Sequence, residues 1–143
     1  MQNQEISVGD VFRIHLPNGQ YAFGCVLRDA SVGIYPGIFT SPELPKDLPQ
    51  SRYAFVAGIY SDILPSGVCP IVGRRTFQSV DEEWPPPTCF LDLAKKTVSI
   101  YYKGRFTPCK EEDVVGLQLV QVGELKHIID RIMKSSDVQC VDQ

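Results

Sequence analysis

The residue types in this chain that could do chemistry are cysteine, histidine and clustered carboxylates. A cysteine beside a histidine could act as an activated nucleophile, either residue could ligate a metal, and paired carboxylates could serve as general acid and base. The cysteines and histidines are Cys25, Cys69, Cys89, Cys109, Cys140, His15 and His127. Each of these functions requires a spacing that brings the groups together.

The spacing of these residues matches none of the motifs that such chemistry uses. No C-x-x-C pair occurs, and neither His15 nor His127 belongs to an H-x-x-H or H-E-x-x-H motif. We therefore predict no metal, no cofactor and no catalytic residue, and we interpret the cysteines as free thiols, mostly buried. A Cys–His pair that forms only in the folded chain stays open as an alternative.

Two runs of carboxylates stand beside prolines or a helix start, where such runs usually form solvated surfaces. They are Asp81, Glu82 and Glu83, and then Glu111, Glu112 and Asp113. One alternative is a small hydrolase that uses Cys109, or Asp81 together with Glu83. It would require a base within about 3 Å of the nucleophile.

Aromatic residues on irregular segments are the stronger candidates for a functional site. Tyr35, Phe39 and Trp84 all lie within two residues of a glycine or proline, and the acidic run precedes the tryptophan directly. Protein interfaces are commonly built from aromatic anchors inside a polar rim. We predict a partner-binding site formed by Tyr35, Phe39, Asp81, Glu82, Glu83 and Trp84, with a cap on the core as the alternative role of Trp84.

The elements that would position these residues are mainly strands. Alternating residues in 11–16 place Phe12, Ile14 and Leu16 on one face, and the dipeptide Asn18-Gly19 predicts a β-hairpin with residues 21–29. Gly24 inside the returning strand predicts a bulge or a strong bend. Residues 40–51 contain three prolines and predict an exposed surface loop.

The second half of the chain predicts a further hairpin and a final helix. Residues 89–92 and 98–102 form the hairpin, Thr107-Pro108 is typical of a helix start, and residues 117–122 predict a last strand. The helix carries an apolar stripe at spacings of three and four. Its members are Leu125, Ile128, Ile129, Ile132 and Met133.

These elements and the composition favour one α+β domain. The 143 residues include eleven glycines, eleven prolines and 10% aromatics, which suits a turn-rich sheet. We predict a strongly bent antiparallel sheet, or a partly open small barrel, with the C-terminal helix packed on it. The domain would span residues 1–143, with residues 1–7 and 135–143 frayed.

Charge and hydropathy exclude several classes of function. A net charge of −3 argues against a protein that binds nucleic acid by neutralising phosphates. The sequence contains neither an apolar run of eighteen residues nor the charged and apolar regions of a signal peptide. We therefore expect a cytoplasmic protein without nucleic-acid or membrane partners.

The segment from Val8 to Leu27 resembles the first hairpin of the immunity protein 26 family, found in bacterial polymorphic toxin systems. Later features follow in a similar order, so the resemblance extends from Val8 to about Lys134. They are residues 66–73, Cys89-Phe90, residues 99–101, residues 116–118 and the closing helix around Asp130-Arg131.

This resemblance implies a non-enzymatic protein that binds and neutralises a cognate toxin domain by occlusion in the cytoplasm of the same cell. The acidic composition suits a basic partner, because complementary charge speeds association. The alternative is a small-ligand or peptide-binding barrel module whose mouth is lined by Tyr21, Phe23 or Tyr53.

Overall fold

The computed structural model describes residues 3–48, 52–117 and 122–134. Within these residues the chain forms two β-sheets and one α-helix. The strands are β1 (Asp10–Leu16), β2 (Gln20–Leu27), β3 (Ser31–Ile34), β4 (Phe55–Ile59), β5 (Ile71–Arg74), β6 (Thr88–Asp92), β7 (Thr97–Tyr102), β8 (Arg105–Cys109) and β9 (Val122–Gly123), and the helix is α1 (Leu125–Lys134).

The larger sheet contains six strands in the order β5-β1-β2-β3-β4-β9 and is called the large sheet below. All its neighbours pair antiparallel except β4 and β9, which run parallel. The small sheet has the order β6-β7-β8 and is antiparallel throughout. The predicted α+β class, with a sheet and a C-terminal helix, is confirmed, and the sheet is open rather than a closed barrel.

The first predicted hairpin is confirmed as β1 and β2. Leu16 pairs with Gln20, and residues 17–19 form a 3₁₀ turn between them. Asn18 and Gly19 adopt φ angles of 67° and 71°, the left-handed conformation that an Asn-Gly turn supplies at low cost. The turn chemistry of the sequence therefore determines this connection.

Gly24 does not lie at a bulge, which was one of the two alternatives predicted from the sequence. It pairs in regular register with Phe12 on one side and Ile34 on the other. A Cβ atom added at Gly24 would lie 2.6 Å from the ring tip of Phe12 and 3.0 Å from the Gly33 carbonyl oxygen. The glycine is needed for close packing, and the register shift occurs instead between Val11 and Phe12 where β1 meets β5.

The large sheet is covered on both faces. Phe12, Ile14 and Leu16 lie in the main core, as predicted, together with residues of α1. On the opposite face Val11 is also buried, in a second cluster that Leu44 and Leu48 help to cover. The proline-containing segment that starts at Thr40 is therefore partly a lid on the sheet rather than an entirely exposed loop.

Helix α1 packs on the large sheet through one side. Ile128 and Ile132 are buried in the main core, and Leu125 and Ile129 contact it as partly buried residues. Met133, predicted to belong to the apolar stripe, is 42% exposed. It lies one residue beyond Ile132, which rotates it by about 100° away from the sheet.

The small sheet confirms the second predicted hairpin and corrects the helix predicted at Thr107-Pro108. Residues 105–109 continue the sheet as β8, an edge strand, which is a position where proline is tolerated. The following acidic residues form only a 3₁₀ turn, Glu111–Val114. Of the described core side chains, the small sheet contributes only Cys89.

Within residues 1–7, which are predicted to fray, Gln4 makes three hydrogen bonds to the rest of the fold. The Gln4 side-chain amide donates to the carbonyl oxygens of Leu64 and Cys69, at 3.0 and 2.7 Å, and its oxygen accepts the Ile71 N–H. The Gln4 side chain thereby satisfies backbone groups of residues 64–71 that would otherwise lack hydrogen-bond partners. These bonds hold Gln4 against the fold. Residues 118–121 of the predicted last strand, the predicted frayed end 135–143 and Cys140 lie outside the described residues.

No helix among the described residues is long and apolar enough to cross a membrane.

Candidate functional site

Two of the predicted anchors are core residues. The side chains of Tyr35 and Phe39 are buried in the second cluster, where the Tyr35 ring lies beside Tyr53 and the Phe39 ring beside Phe23. Phe39 also pairs with Tyr21 through two backbone hydrogen bonds, which draws its segment onto the sheet. Neither ring can contact a partner in this fold, so both leave the set of candidate anchors.

A buried cation lies at the border of this second cluster. Arg75 is only 6% exposed, donates to the Tyr53 hydroxyl and lies over the ring of Phe77, 4.5 Å from its centre. Burial raises the pKa of Tyr53 and also of the neighbouring Cys25 thiol. Both groups therefore remain neutral at physiological pH, and Arg75 is the charged member of the group.

The predicted acidic residues form one 3₁₀ turn, Val80–Glu83, called the acidic turn below. Each carboxylate bonds to a cation from a different part of the fold. The three pairs are Asp81 with Lys103, Glu82 with Arg75 at 3.0 Å, and Glu83 with Arg28 at 2.8 Å. The hydrogen bond to Asp81 raises the pKa of Lys103, which favours the protonated ammonium group.

These ion pairs change the interpretation of the acidic rim. Glu82 also accepts the backbone N–H groups of Gln78 and Ser79, so both of its oxygens are occupied within the chain. The acidic turn joins β5, the β2–β3 connection and the small sheet, and its negative charge is locally balanced. Of its three carboxylate side chains, only that of Asp81, 75% exposed, presents much of its surface to solvent.

Trp84 follows the acidic turn and is partly exposed at the wall of an open groove. The groove encloses about 490 Å³ between the large sheet and the prolines after Trp84. It is lined by residues 53–56 and 84–87 with Asp81 and Tyr102. The structure thus keeps Asp81, Glu82, Glu83 and Trp84 together, and separates them from the buried Tyr35 and Phe39.

Every aromatic ring that lines the groove has a cation of the chain close to it. Arg28 lies 5.8 Å from the ring centre of Trp84 and Arg75 5.6 Å from that of Tyr53. Lys103 lies 5.1 Å from Tyr102, and Arg131 lies 4.2 Å from Phe55. The groove is therefore an aromatic surface with balanced charge at its border, and not an acidic cleft.

The small sheet carries an aromatic surface that was not predicted from the sequence. Phe90, Tyr101 and Phe106 share one face of this sheet, called the aromatic face below, with ring centres 5.1 Å apart for Phe90 and Phe106 and 4.7 Å for Tyr101 and Phe106. The Tyr101 hydroxyl donates to the Asp29 carboxylate at 2.6 Å, which raises the pKa of Tyr101. The hairpin register of residues 89–102 could have placed Phe90 and Tyr101 on one face.

The residues considered for catalysis are held apart by other contacts. The Cys109 thiol points to the Val98 carbonyl oxygen, and burial raises its pKa. His15 stacks edge-on against Tyr21, and His127 accepts the Glu124 N–H. Within residues 3–48, 52–117 and 122–134 no cysteine is hydrogen-bonded to a histidine, and no three His, Cys, Asp or Glu side chains form a possible metal site.

The family model described as Immunity protein 26 matches residues 7–99. The match includes β1 to β6, the acidic turn, Trp84 and the start of β7. Comparison with curated proteins and with solved structures gives no match. Because the matched segment covers well over half of the 143 residues, the chain belongs to the immunity protein 26 family.

Proposed function

We propose that this protein binds a cognate toxin domain in the cytoplasm of the producing cell and neutralises it by covering its active surface. Membership of the immunity protein 26 family is the observation that carries this proposal. An occluding protein needs a rigid complementary surface and no chemistry of its own. The contacts found for the cysteines, histidines and carboxylates support such a role better than a catalytic one.

Trp84 is the anchor of the proposed surface, and Asp81 is the exposed carboxylate beside it. The three ion pairs of the acidic turn fix the backbone that presents Trp84, which reduces the entropy lost when the side chain is immobilised by a partner. Glu82 and Glu83 are accordingly positioning residues within the proposed site. They hold the turn and leave contact with the toxin to Asp81 and Trp84.

A small-ligand barrel has less support. Its proposed mouth included Phe23, which is fully buried in the second cluster, and Tyr53, whose hydroxyl bonds to Arg75. The groove at Trp84 is open, whereas small-molecule sites usually enclose most of the ligand surface. An open groove of this kind suits a convex protein surface better than a small ligand.

The test uses a candidate toxin domain taken from the gene next to that of this protein. We expect the purified proteins to form a stoichiometric complex and the toxin to lose its activity. Trp84→Ala should raise the Kd about 30-fold, the effect of losing an aromatic hot spot. Val80→Ala, which shortens a 63% exposed side chain in the same turn, is the matched control and should change the Kd less than about threefold.

Melting temperature separates binding from folding for these variants. Full toxin activity at saturating concentrations of the wild-type protein would refute neutralisation of that toxin. Equal effects of Trp84→Ala and Val80→Ala on affinity would remove Trp84 from the binding surface. A fall in affinity that only parallels a fall in melting temperature would assign Trp84 to the core.

A further inference from the structure

We propose that the aromatic face is the second half of the toxin-binding surface, and that it docks an apolar patch of the toxin bordered by lysine or arginine. This inference rests on the proposed function and specifies which surface meets the partner. Phe90, Tyr101 and Phe106 would form its centre.

The rings of the aromatic face are exposed to solvent. Phe90 is 38% exposed and Phe106 55%, although the two rings already contact each other. A cluster of aromatic rings at the surface of a small protein is unusual without a binding role, because each ring loses hydrophobic stabilisation to water. The buried core of the protein lies elsewhere, since only Cys89 of this sheet is fully covered.

The aromatic face is connected to the Trp84 surface through one turn. In the β2–β3 connection, Arg28 bonds to Glu83 and lies over Trp84, while the next residue, Asp29, accepts the Tyr101 hydroxyl. Both aromatic surfaces are thus fixed to neighbouring residues of the same turn. Tyr102, which lines the Trp84 groove, lies on the opposite face of the small sheet from Tyr101, so a partner would cover both surfaces across this end of β7.

The size of a stable interface requires such an extension. Specific protein complexes bury about 800 Å² on each partner, from about 20–30 residues. The Trp84 surface supplies only a few of these roughly 20–30 residues, namely Asp81, Trp84 and the accessible prolines. The aromatic face adds a sheet surface that includes three large rings.

The negative charge at the aromatic face favours a basic toxin over a second copy of this chain as its partner. The strand positions that share the aromatic face carry one charged residue, Asp92, and Tyr101 adds the carboxylate of Asp29 at the other end. Arg105 occupies the opposite face, paired with Tyr102. Two copies meeting through this face would bring these carboxylates together, whereas lysine or arginine at the border of a toxin surface would neutralise them.

The aromatic face also lies partly outside the family match. Phe90 is within the matched residues 7–99, but Tyr101 and Phe106 follow them. Strands β1 to β5 of the large sheet and the Trp84 turn belong to the matched part of the chain. We therefore expect the aromatic face to carry the selectivity of this chain for its own toxin.

The first experiment measures affinity for the adjacent-gene toxin domain, inactivated by substitution, with the full chain. Phe90→Ala with Phe106→Ala should raise the Kd at least 30-fold while the melting temperature changes little. Leu93→Ala is the control, because Leu93 is 84% exposed in the β6–β7 turn and lies off the aromatic face; its Kd should stay within threefold. Wild-type binding with no loss in the double variant would overturn this inference and leave the proposed function intact.

The second experiment tests the charge without disturbing the fold. Asp29→Asn keeps the acceptor for Tyr101 and tolerates the φ of 65° at this position, and Asp92→Asn keeps the oxygen that accepts the Ala94 and Lys95 N–H groups. The doubly substituted protein should associate several-fold more slowly at low salt, with the difference vanishing at high salt. Unchanged or faster association would refute the basic border.

Two further outcomes are distinguishable. If wild-type protein fails to bind the toxin domain at all, the proposed function and this inference are both refuted. If light scattering shows a dimer that Phe106→Ala converts to a monomer, the aromatic face is a self-association surface and the toxin is not its occupant.

Discussion

At the residue scale, the charged side chains of the site act mainly within the protein. Arg75 is buried between aromatic rings and has Glu82 as its carboxylate partner. A buried cation without its counter-ion is strongly unfavourable, so the pair must form whenever the turn is folded. Glu83 and Arg28 make a similar bond, but the Arg28 side chain is 44% exposed, and an ion pair with an exposed partner contributes little.

This difference predicts unequal effects of the same substitution at adjacent residues. Glu82→Gln should lower the free energy of unfolding by about 2 kcal/mol, because Arg75 loses its counter-charge and an amide NH₂ must face either Arg75 or the backbone N–H groups. Glu83→Gln should lower it by less than about 1 kcal/mol. Urea denaturation at neutral pH measures both, and equal values would contradict the role assigned to Arg75.

At the scale of elements, close packing inside the large sheet depends on a position without a side chain. Gly24 lies in β2 between Phe12 of β1 and Ile34 of β3, and the Phe12 ring crosses the space above it. The strand keeps its register there, so the glycine is required by side-chain packing and not by a bulge. A glycine within a strand pattern is compatible with either cause.

Gly24→Ala therefore introduces a clash within a regular strand. We expect a loss of about 1–3 kcal/mol in the free energy of unfolding, the range for overpacking a core. Phe12→Leu removes the ring tip that the new methyl group would meet, so the double variant should lose less than the sum of the two single variants. A double-mutant cycle from urea denaturation gives the coupling, and strict additivity would show that Phe12 is not the obstacle.

At the scale of the whole molecule, the two sheets are stabilised to different degrees. The large sheet is covered on both faces by α1, by the 35–48 segment and by core side chains, whereas the small sheet buries only Cys89. Hydrogen bonds and ion pairs around the acidic turn connect the two sheets. Such contacts orient the small sheet but exclude little apolar surface from water.

Hydrogen exchange should reveal this difference. The central strands β2 and β7 each have two antiparallel neighbours, so they are matched in hydrogen bonding. Amides of β2 should exchange only through global unfolding, whereas those of β7 should exchange faster through local opening. Equal protection of β2 and β7 would contradict this account. Binding of the toxin domain should slow exchange in β6–β8 if the aromatic face is part of the interface.

The sequence by itself determined the features that depend on neighbouring residues. The Asn18-Gly19 turn, the alternation in β1, the β6–β7 hairpin and the stripe of α1 follow from local conformational preference and from periods of two and 3.6 residues. The order of these features was also sufficient to identify the family. The local pattern at Thr107-Pro108 is compatible with more than one structure. It predicted a helix start, whereas these residues belong to the edge strand β8.

Only the tertiary structure decided which surfaces remain exposed and how charges are balanced. Tyr35 and Phe39 are buried because the chain after β3 folds back over the second face of the large sheet, which no local pattern specifies. Asp81 and Glu83 find their cations in Lys103 and Arg28, 22 and 55 residues away in the sequence. Burial and ion pairing depend on these distant approaches. The site predicted from residue types alone therefore combined the partly exposed Trp84 with two core residues.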